Sequence, residues 1–244
     1  MRQKRDSPAC DRTQFRVVLD VGHSAEVPGA FSARGVPEYE FNLRLARQIE
    51  KAMVGAGFAK TAVLITPGPA RAGLLTRVAR ANGWPADLFV SIHHDSVPER
   101  FLESWDFEGK PNRFSDRFHG HSIFISNDNA HREASLNFAR LLGRQLKMRG
   151  LQYARHYTEA FMQERRRELV DPEAGVYRYD QLIVLKDTAM PAVLLEAGSI
   201  VNRGEELSLQ TPQHQARIGA ALTEAVAMFC AKRPSPVAKP QAAR

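Results

Sequence analysis

Three short stretches put ionisable side chains where apolar runs stop. "DVGHS" carries His23 just past one run, "SIHHDS" does the same for His93 and His94, and "AVLLE" ends on Glu196. Glutamate is costly to bury and a poor strand former, so its place at the end of such a run calls for a chemical reason. Two imidazoles and a carboxylate are the usual donor set of a catalytic zinc, which leaves a fourth position for a water whose pKa falls to about 7. A further carboxylate, not bound to the metal, can take that water's proton and pass it to a leaving amine. His23, His93 and Glu196 are candidates for such a site, and Glu38 and Glu40 follow the first run closely enough to join it. Each residue alone has a plainer reading. A single strand-end histidine is more often a satisfied or surface residue, and a single glutamate more often a salt-bridge partner. The chain has 8 histidines and none of the tight spacing of a zincin helix.

What could bring these residues together is the order of elements. Near-continuous apolar, β-branched runs recur at "FRVVLD" (15–20), "TAVLI" (61–65), "LFVSIH" (88–93), "HSIFIS" (121–126), "QLIVL" (181–185) and "AVLLE" (192–196), as expected of strands covered on both faces. Between them lie helical stripes: Phe41, Leu45, Ile49 and Ala52; then Leu136, Ala139, Leu142 and Leu146; then Ile218, Leu222, Ala225 and Phe229, with Thr211 as cap and Pro212 at the first position. Strands alternating with helices predict an α/β fold with a mostly parallel or mixed sheet. In such sheets, sites collect at the carboxyl ends of strands, where His23, His93 and Glu196 could converge.

At 244 residues the chain fits one domain with a sizeable core. No apolar run approaches the roughly 18 residues of a membrane span. The net charge of +7, from 34 basic and 27 acidic residues, favours an anionic partner without choosing it. The Lys and Arg residues are spread along the chain and no nucleic-acid recognition motif is visible, so nucleic acid is not expected as a partner. Cys10 and Cys230 cannot form a disulfide framework or a CxxC metal site; pairing with each other and free thiols both stay open. Residues 1–14 read as a flexible segment and 232–244 as a disordered tail, around a domain over 15–231. Two segments break the alternation, about 97–118 and 151–180, and both are long for ordinary connections.

The motifs resemble those of a known family. "VVLDVGHSAEVPGAFSARGVPEYEFNLRLA" is similar to the opening of the zinc-dependent N-acetylmuramoyl-L-alanine amidases (amidase-3 family): a strand, Asp-Pro-Gly-His, a loop with Gly-Ala, then Gly-x-x-Glu and Asn-Leu. "RVARANGWPADLFVSIHHDS" resembles the family's Arg and Ala-Asn followed by Phe-Ile-Ser-Ile-His. "LIVLKDTAMPAVLLEAGSIVNRGEE" resembles its Val-Leu-Arg, Met-Pro, Val-Leu-Val-Glu and Asn-x-x-Glu. The resemblance implies a six-stranded sheet flanked by helices and one zinc ion per chain, with His23, Glu38 and His93 as ligands and Glu196 as the catalytic carboxylate. Glu38 rather than Glu40 fits the motif's spacing from Gly35 and Asn42. The implied reaction is hydrolysis of the amide between N-acetylmuramic acid and L-alanine of the peptidoglycan stem peptide.

Val21, Ser24, His94 and Ser199 depart from the family pattern, but none replaces an implied ligand. His94 is expected on the opposite face from His93, because adjacent strand residues alternate. His119 and His121 read as structural. The resemblance also implies a place in the periplasm or cell envelope, although "MRQKRDSPACDRTQF" contains no visible signal peptide; the chain reads as a mature or trimmed form. "HYTEAFMQERRREL" (156–169) could form an inhibitory helix, with Glu159 or Glu164 offered to the metal until an activator protein removes it. The competing reading is a solvated charged helix or a wall of the substrate groove.

Overall fold

The computed structural model describes residues 10–232. In chain order the elements are β1 (Arg16–Val21), α1 (Glu38–Gly55), β2 (Lys60–Leu64), α2 (Ala70–Gly83), β3 (Leu88–Asp95), β4 (Glu103–Phe107), β5 (Lys110–Phe114), β6 (Ser122–Ile125), α3 (Arg132–Met148), β7 (Glu168–Asp171), β8 (Val176–Arg178), α4 (Ile183–Lys186), β9 (Ala192–Ser199), α5 (Arg203–Leu209) and α6 (Pro212–Lys232). Seven strands form one mixed sheet in the order β2-β1-β3-β9-β6-β8-β7, and β4 and β5 make a separate hairpin. The four strands β2, β1, β3 and β9 are mutually parallel, while β6 runs antiparallel to β9 and β7 antiparallel to β8.

Strand alternation divides the core cleanly. Leu19 and Val21 of β1, Val90 and Ile92 of β3, and Val193 and Leu195 of β9 face one layer, built from Leu45 and Ile49 of α1, Phe138 and Leu142 of α3, and Ile218 and Leu222 of α6. The intervening residues Val18, Phe89 and Leu194 face a second layer with Val78 of α2, Tyr157, Met162, Tyr177 and Leu185. The α1 stripe buries Phe41, Leu45 and Ile49, but continues to Met53 because Ala52 is exposed. The backbone N–H of His214 donates to Thr211 Oγ1, so Thr211 caps α6.

Three regions differ from the sequence reading. "QLIVL" is not a strand: its apolar residues form the turn α4, packed on α2 and β9. A run of four apolar residues suits a buried helical turn as well as a buried strand, and here the sheet is extended instead by β7 and β8. Segment 97–118 contains the β4–β5 hairpin. Segment 156–169 does not form the suspected helix. It makes short 3-10 turns over His156–Thr158 and Ala160–Arg165 and then enters β7. Both Glu159 and Glu164 are exposed, so neither carboxylate is turned inward towards the strand ends.

Cys10 and Cys230 form a disulfide, with Cα atoms 5.2 Å apart. It fastens the turn at residues 10–14 to α6, and Arg12 Nη1 donates to the Ala56 carbonyl at 2.9 Å. Residues 1–9 of the expected flexible segment, and 233–244 of the expected tail, lie outside the described residues. No helix among the described residues is long and apolar enough to cross a membrane.

Candidate active site

His23, Glu38 and His93 meet at the carboxyl ends of β1 and β3. His23 Nε2 lies 3.0 Å from Glu38 Oε2, and His93 Nδ1 lies 3.1 Å from Glu38 Oε1. Their ligand atoms all fall within 4.8 Å of one another, the one such group of three among the described residues. Glu38 is the first residue of α1, where the helix dipole favours negative charge, and it is 5 % exposed. Glu40, by contrast, is exposed.

Each member is held from several sides. Asn42, one turn along α1, donates from Nδ2 to Glu38 Oε1 and to the Gly22 carbonyl, both at 3.2 Å. The backbone N–H of His94 also donates to Glu38 Oε1, and that of Ala30 to Oε2. His23 adopts the left-handed region at φ 66°, which few non-glycine residues occupy. Arg77 of α2 fixes this turn: Nη2 donates to the His23 carbonyl at 2.8 Å, and Nη1 donates to Asp20 Oδ1 at 2.7 Å and to the Val21 carbonyl. Ser91 supplies a second bond to the buried Asp20 carboxylate. The loop before α1 is tied to α5 through Glu206, whose carboxylate receives bonds from Ser32 and Arg34.

The register explains the placement of His93 and Glu196. They are paired positions on the adjacent parallel strands β3 and β9, and Glu196 is in turn opposite Ser122 of β6. Paired residues share a face, so His93, Glu196 and Ser122 form a row on the second-layer side of the sheet. His94 points to the other side, as alternation requires. It is buried, its Nδ1–H donates to Asn42 Oδ1 at 2.7 Å, and burial pushes its pKa down to about 3, so it stays neutral. His121 is a buried residue and His119 an exposed one at the entry to β6.

The packing and the charge of the donor set both fit a metal ion. A Cβ added to Gly22 would lie 2.4 Å from the His93 ring, and one on Gly29 would lie 2.5 Å from Glu38 Oε2. Bare backbone at these two points lets three side chains close on one centre. Burial opposes ionisation of Glu38, but hydrogen bonds from His23 and His93 outweigh it and hold the carboxyl well below its usual range. A charged carboxylate between two imidazoles is a fitting hard and borderline donor set for zinc.

Glu196 is arranged differently. Its Oε2 is enclosed and has no hydrogen-bond partner, and the neighbouring Ser122 Oγ is also unpartnered. Burial, then the charges of Asp95 and Glu38, push the Glu196 carboxyl well above the usual range, against the pull of Arg165. Of the candidates named from sequence, His23, Glu38 and His93 come together and Glu196 lies beside His93 on the next strand. Sequence reasoning noted Arg77 and Asn42 only as parts of motifs, and it missed Ser122, which the alternation in "HSIFIS" places on one face with Phe124.

Fold and side-chain geometry thus define a class: an α/β domain with a candidate two-histidine, one-carboxylate metal site and a free carboxylate one strand away. The sequence profile of the Amidase_3 family, N-acetylmuramoyl-L-alanine amidase, matches residues 17–228. A putative N-acetylmuramoyl-L-alanine amidase of Buchnera aphidicola is 23% identical over 218 residues, covering 89% of this chain and 97% of that protein. The fold is similar to the amidase Ami1 of Mycobacterium smegmatis (TM-score 0.68, 19% identity, 91% of this chain and 100% of that one). It is also similar to the catalytic domain of the amidase CwlV of Bacillus (Paenibacillus) polymyxa var. colistinus (TM-score 0.62, 26% identity, 88% and 97%). The chain belongs to the Amidase_3 family of N-acetylmuramoyl-L-alanine amidases, hydrolases of peptidoglycan.

Proposed function

We propose that this chain cleaves the amide between N-acetylmuramic acid and L-alanine of the stem peptide, using one zinc ion held by His23, Glu38 and His93, with Glu196 as the proton carrier. Bound there, zinc would polarise the scissile carbonyl and make a water nucleophilic at neutral pH. The protein's own part begins with placement. Arg77 and Asn42 lock His23 and Glu38, so the donor set needs little rearrangement to take the ion. Glu196 Oε2 is the acceptor for the proton of the attacking water. Once protonated it is the donor to the departing alanine nitrogen, which must therefore leave on the β9 side. The unpartnered, enclosed Oε2 one strand from His93 carries this reading: a buried acceptor without a donor is costly and calls for a function.

Two features support a site of action in the cell envelope. Peptidoglycan lies outside the cytoplasm, and the Cys10–Cys230 bond suits an oxidising compartment. The exposed Glu159 and Glu164 argue against either carboxylate covering the metal position. The test is metal content together with muropeptide release before and after chelation. About one zinc per chain and chelator-sensitive release are expected; release that survives complete metal removal would sink the mechanism.

A further inference from the structure

The charge run at 163–168 contains three arginines, and only one of them turns towards the cleft. Arg166 is exposed and bonds Thr158 through Nε, while Arg167 lies 3.7 Å over the ring of Tyr179. Arg165 instead reaches the end of β3: Nη1 donates to the Ser96 carbonyl at 3.0 Å, and Nη2 lies 3.9 Å from Asp95 Oδ1. It follows Gln163, whose φ of 51° and ψ of −120° is a conformation that non-glycine side chains avoid. That kink redirects the chain and separates the inward Arg165 from the outward Glu164.

We propose that Arg165 binds a carboxylate of the stem peptide, the free α-carboxylate of its second residue, and so sets substrate preference. This rests on the reading of Glu196 given above. The carboxylate that protonates the leaving nitrogen must face the amine half of the substrate, so the peptide leaves on the side of β9. Arg165 is a cation close to that carboxylate: Glu196 and Tyr157 both feel its charge, and Tyr157 shares with it the buried Asp95, donating to Oδ2 at 2.8 Å, with His156 Nε2 3.6 Å from the same oxygen. Asp95 does not saturate the guanidinium. Its Oδ1 already accepts from the Ser96 N–H at 2.8 Å, and the side chain of Arg165 remains 37% exposed. A planar donor fork, half-buried and pinned at one nitrogen, is suited to receive a second carboxylate. A cavity of about 170 Å³ beside His23 and His93 is lined largely by Val27, Leu74, Leu182 and Leu194, and its arginine, Arg77, is already committed to Asp20. An uncharged group suits that cavity, and an anionic one suits Arg165.

The experiment compares N-acetylmuramoyl-L-Ala-D-Glu with its α-carboxamide, N-acetylmuramoyl-L-Ala-D-isoglutamine, as substrates for the zinc-loaded wild type, Arg165→Gln and Arg165→Lys. Wild type is expected to favour the carboxylate by about ten- to hundredfold in kcat/KM, mainly through KM. Arg165→Gln should bring the carboxylate-to-carboxamide ratio to about one, whatever the loss of its charge beside Glu196 does to both rates in common, and Arg165→Lys should restore part of the ratio. Calorimetry of L-Ala-D-Glu binding to metal-free protein should show the same loss in Arg165→Gln. A wild type that treats the two substrates alike overturns the proposal, as does a glutamine variant that loses both activities equally. If chelation or Glu196→Gln leaves hydrolysis intact, the zinc and Glu196 reading falls. If both abolish hydrolysis and the substrate ratio ignores Arg165, only this inference falls.

Discussion

The two halves of the site are built on opposite principles. On the β1 and β3 side, both oxygens of Glu38 are engaged: it accepts from Asn42 and two backbone amides besides its contacts with the histidines, and Arg77 grips the turn at His23. On the β9 side, Glu196 Oε2 and Ser122 Oγ are enclosed and have no partner. A resident ion demands donors that are already in place, whereas a group that exchanges protons must keep a lone pair free. The rigid half surrenders its adaptability and the free half surrenders stability.

That contrast can be broken or sharpened by substitution. The largest effect is expected from His93→Ala, which removes a donor from the rigid half; bound zinc measured by atomic absorption should be lost, and muropeptide release with it. Next comes Glu196→Gln, which should keep its zinc but lose about 10²- to 10⁴-fold in rate, the range for a general acid–base group. A Glu196→Gln protein without metal would mean that the halves are not separable. Asn42→Ala leaves all three donors present but unties Glu38 from the Gly22 turn. Zinc affinity by competition with a chelator should fall about 10- to 100-fold, with a much smaller effect on saturated turnover.

The smallest effect tests a residue outside both halves. Neither ring nitrogen of His121 has a hydrogen-bond partner, and burial, against a weaker pull from the Gln152 carbonyl, pushes its pKa down to about 4. The unfolded chain takes up this proton near the ordinary value of about 6.5, before the folded one does. His121 therefore costs nothing above that pH, and stability is lost as pH falls from about 6.5 towards 4, by at most about 3 kcal/mol. His121→Phe should flatten that part of the Tm-versus-pH curve, while buried His94 leaves a residual slope. An unchanged slope would show that the folded protein accommodates the charge.

How much of this was legible beforehand follows from the same physics. Strand-end histidines and Glu196 stood out because a charge at the end of an apolar run is costly, and parallel strands deliver their ends to one edge. Glu38 could not be distinguished from Glu40 by chemistry; the resemblance chose it, and burial separates the two. The β4–β5 hairpin was missed although Glu108 and Gly109, both at positive φ, make the two-residue turn that its strands require. "QLIVL" misled because four apolar residues fill a helical turn as readily as a strand. Arg165 was hidden inside a charge run, since composition does not say which of three adjacent arginines a kinked backbone turns inward.

The Cys10–Cys230 bond has a consequence of another kind. It joins positions 220 residues apart, so almost the entire domain becomes one covalent ring. The exposed tip of the β4–β5 hairpin, at Glu108 and Gly109, lies inside that ring. A protease that cuts there opens the ring without releasing a fragment, and the two pieces stay bound through the sheet and the sulfur bridge. Only a cut and a reduction together leave the two pieces without a covalent link, and either one alone leaves them joined.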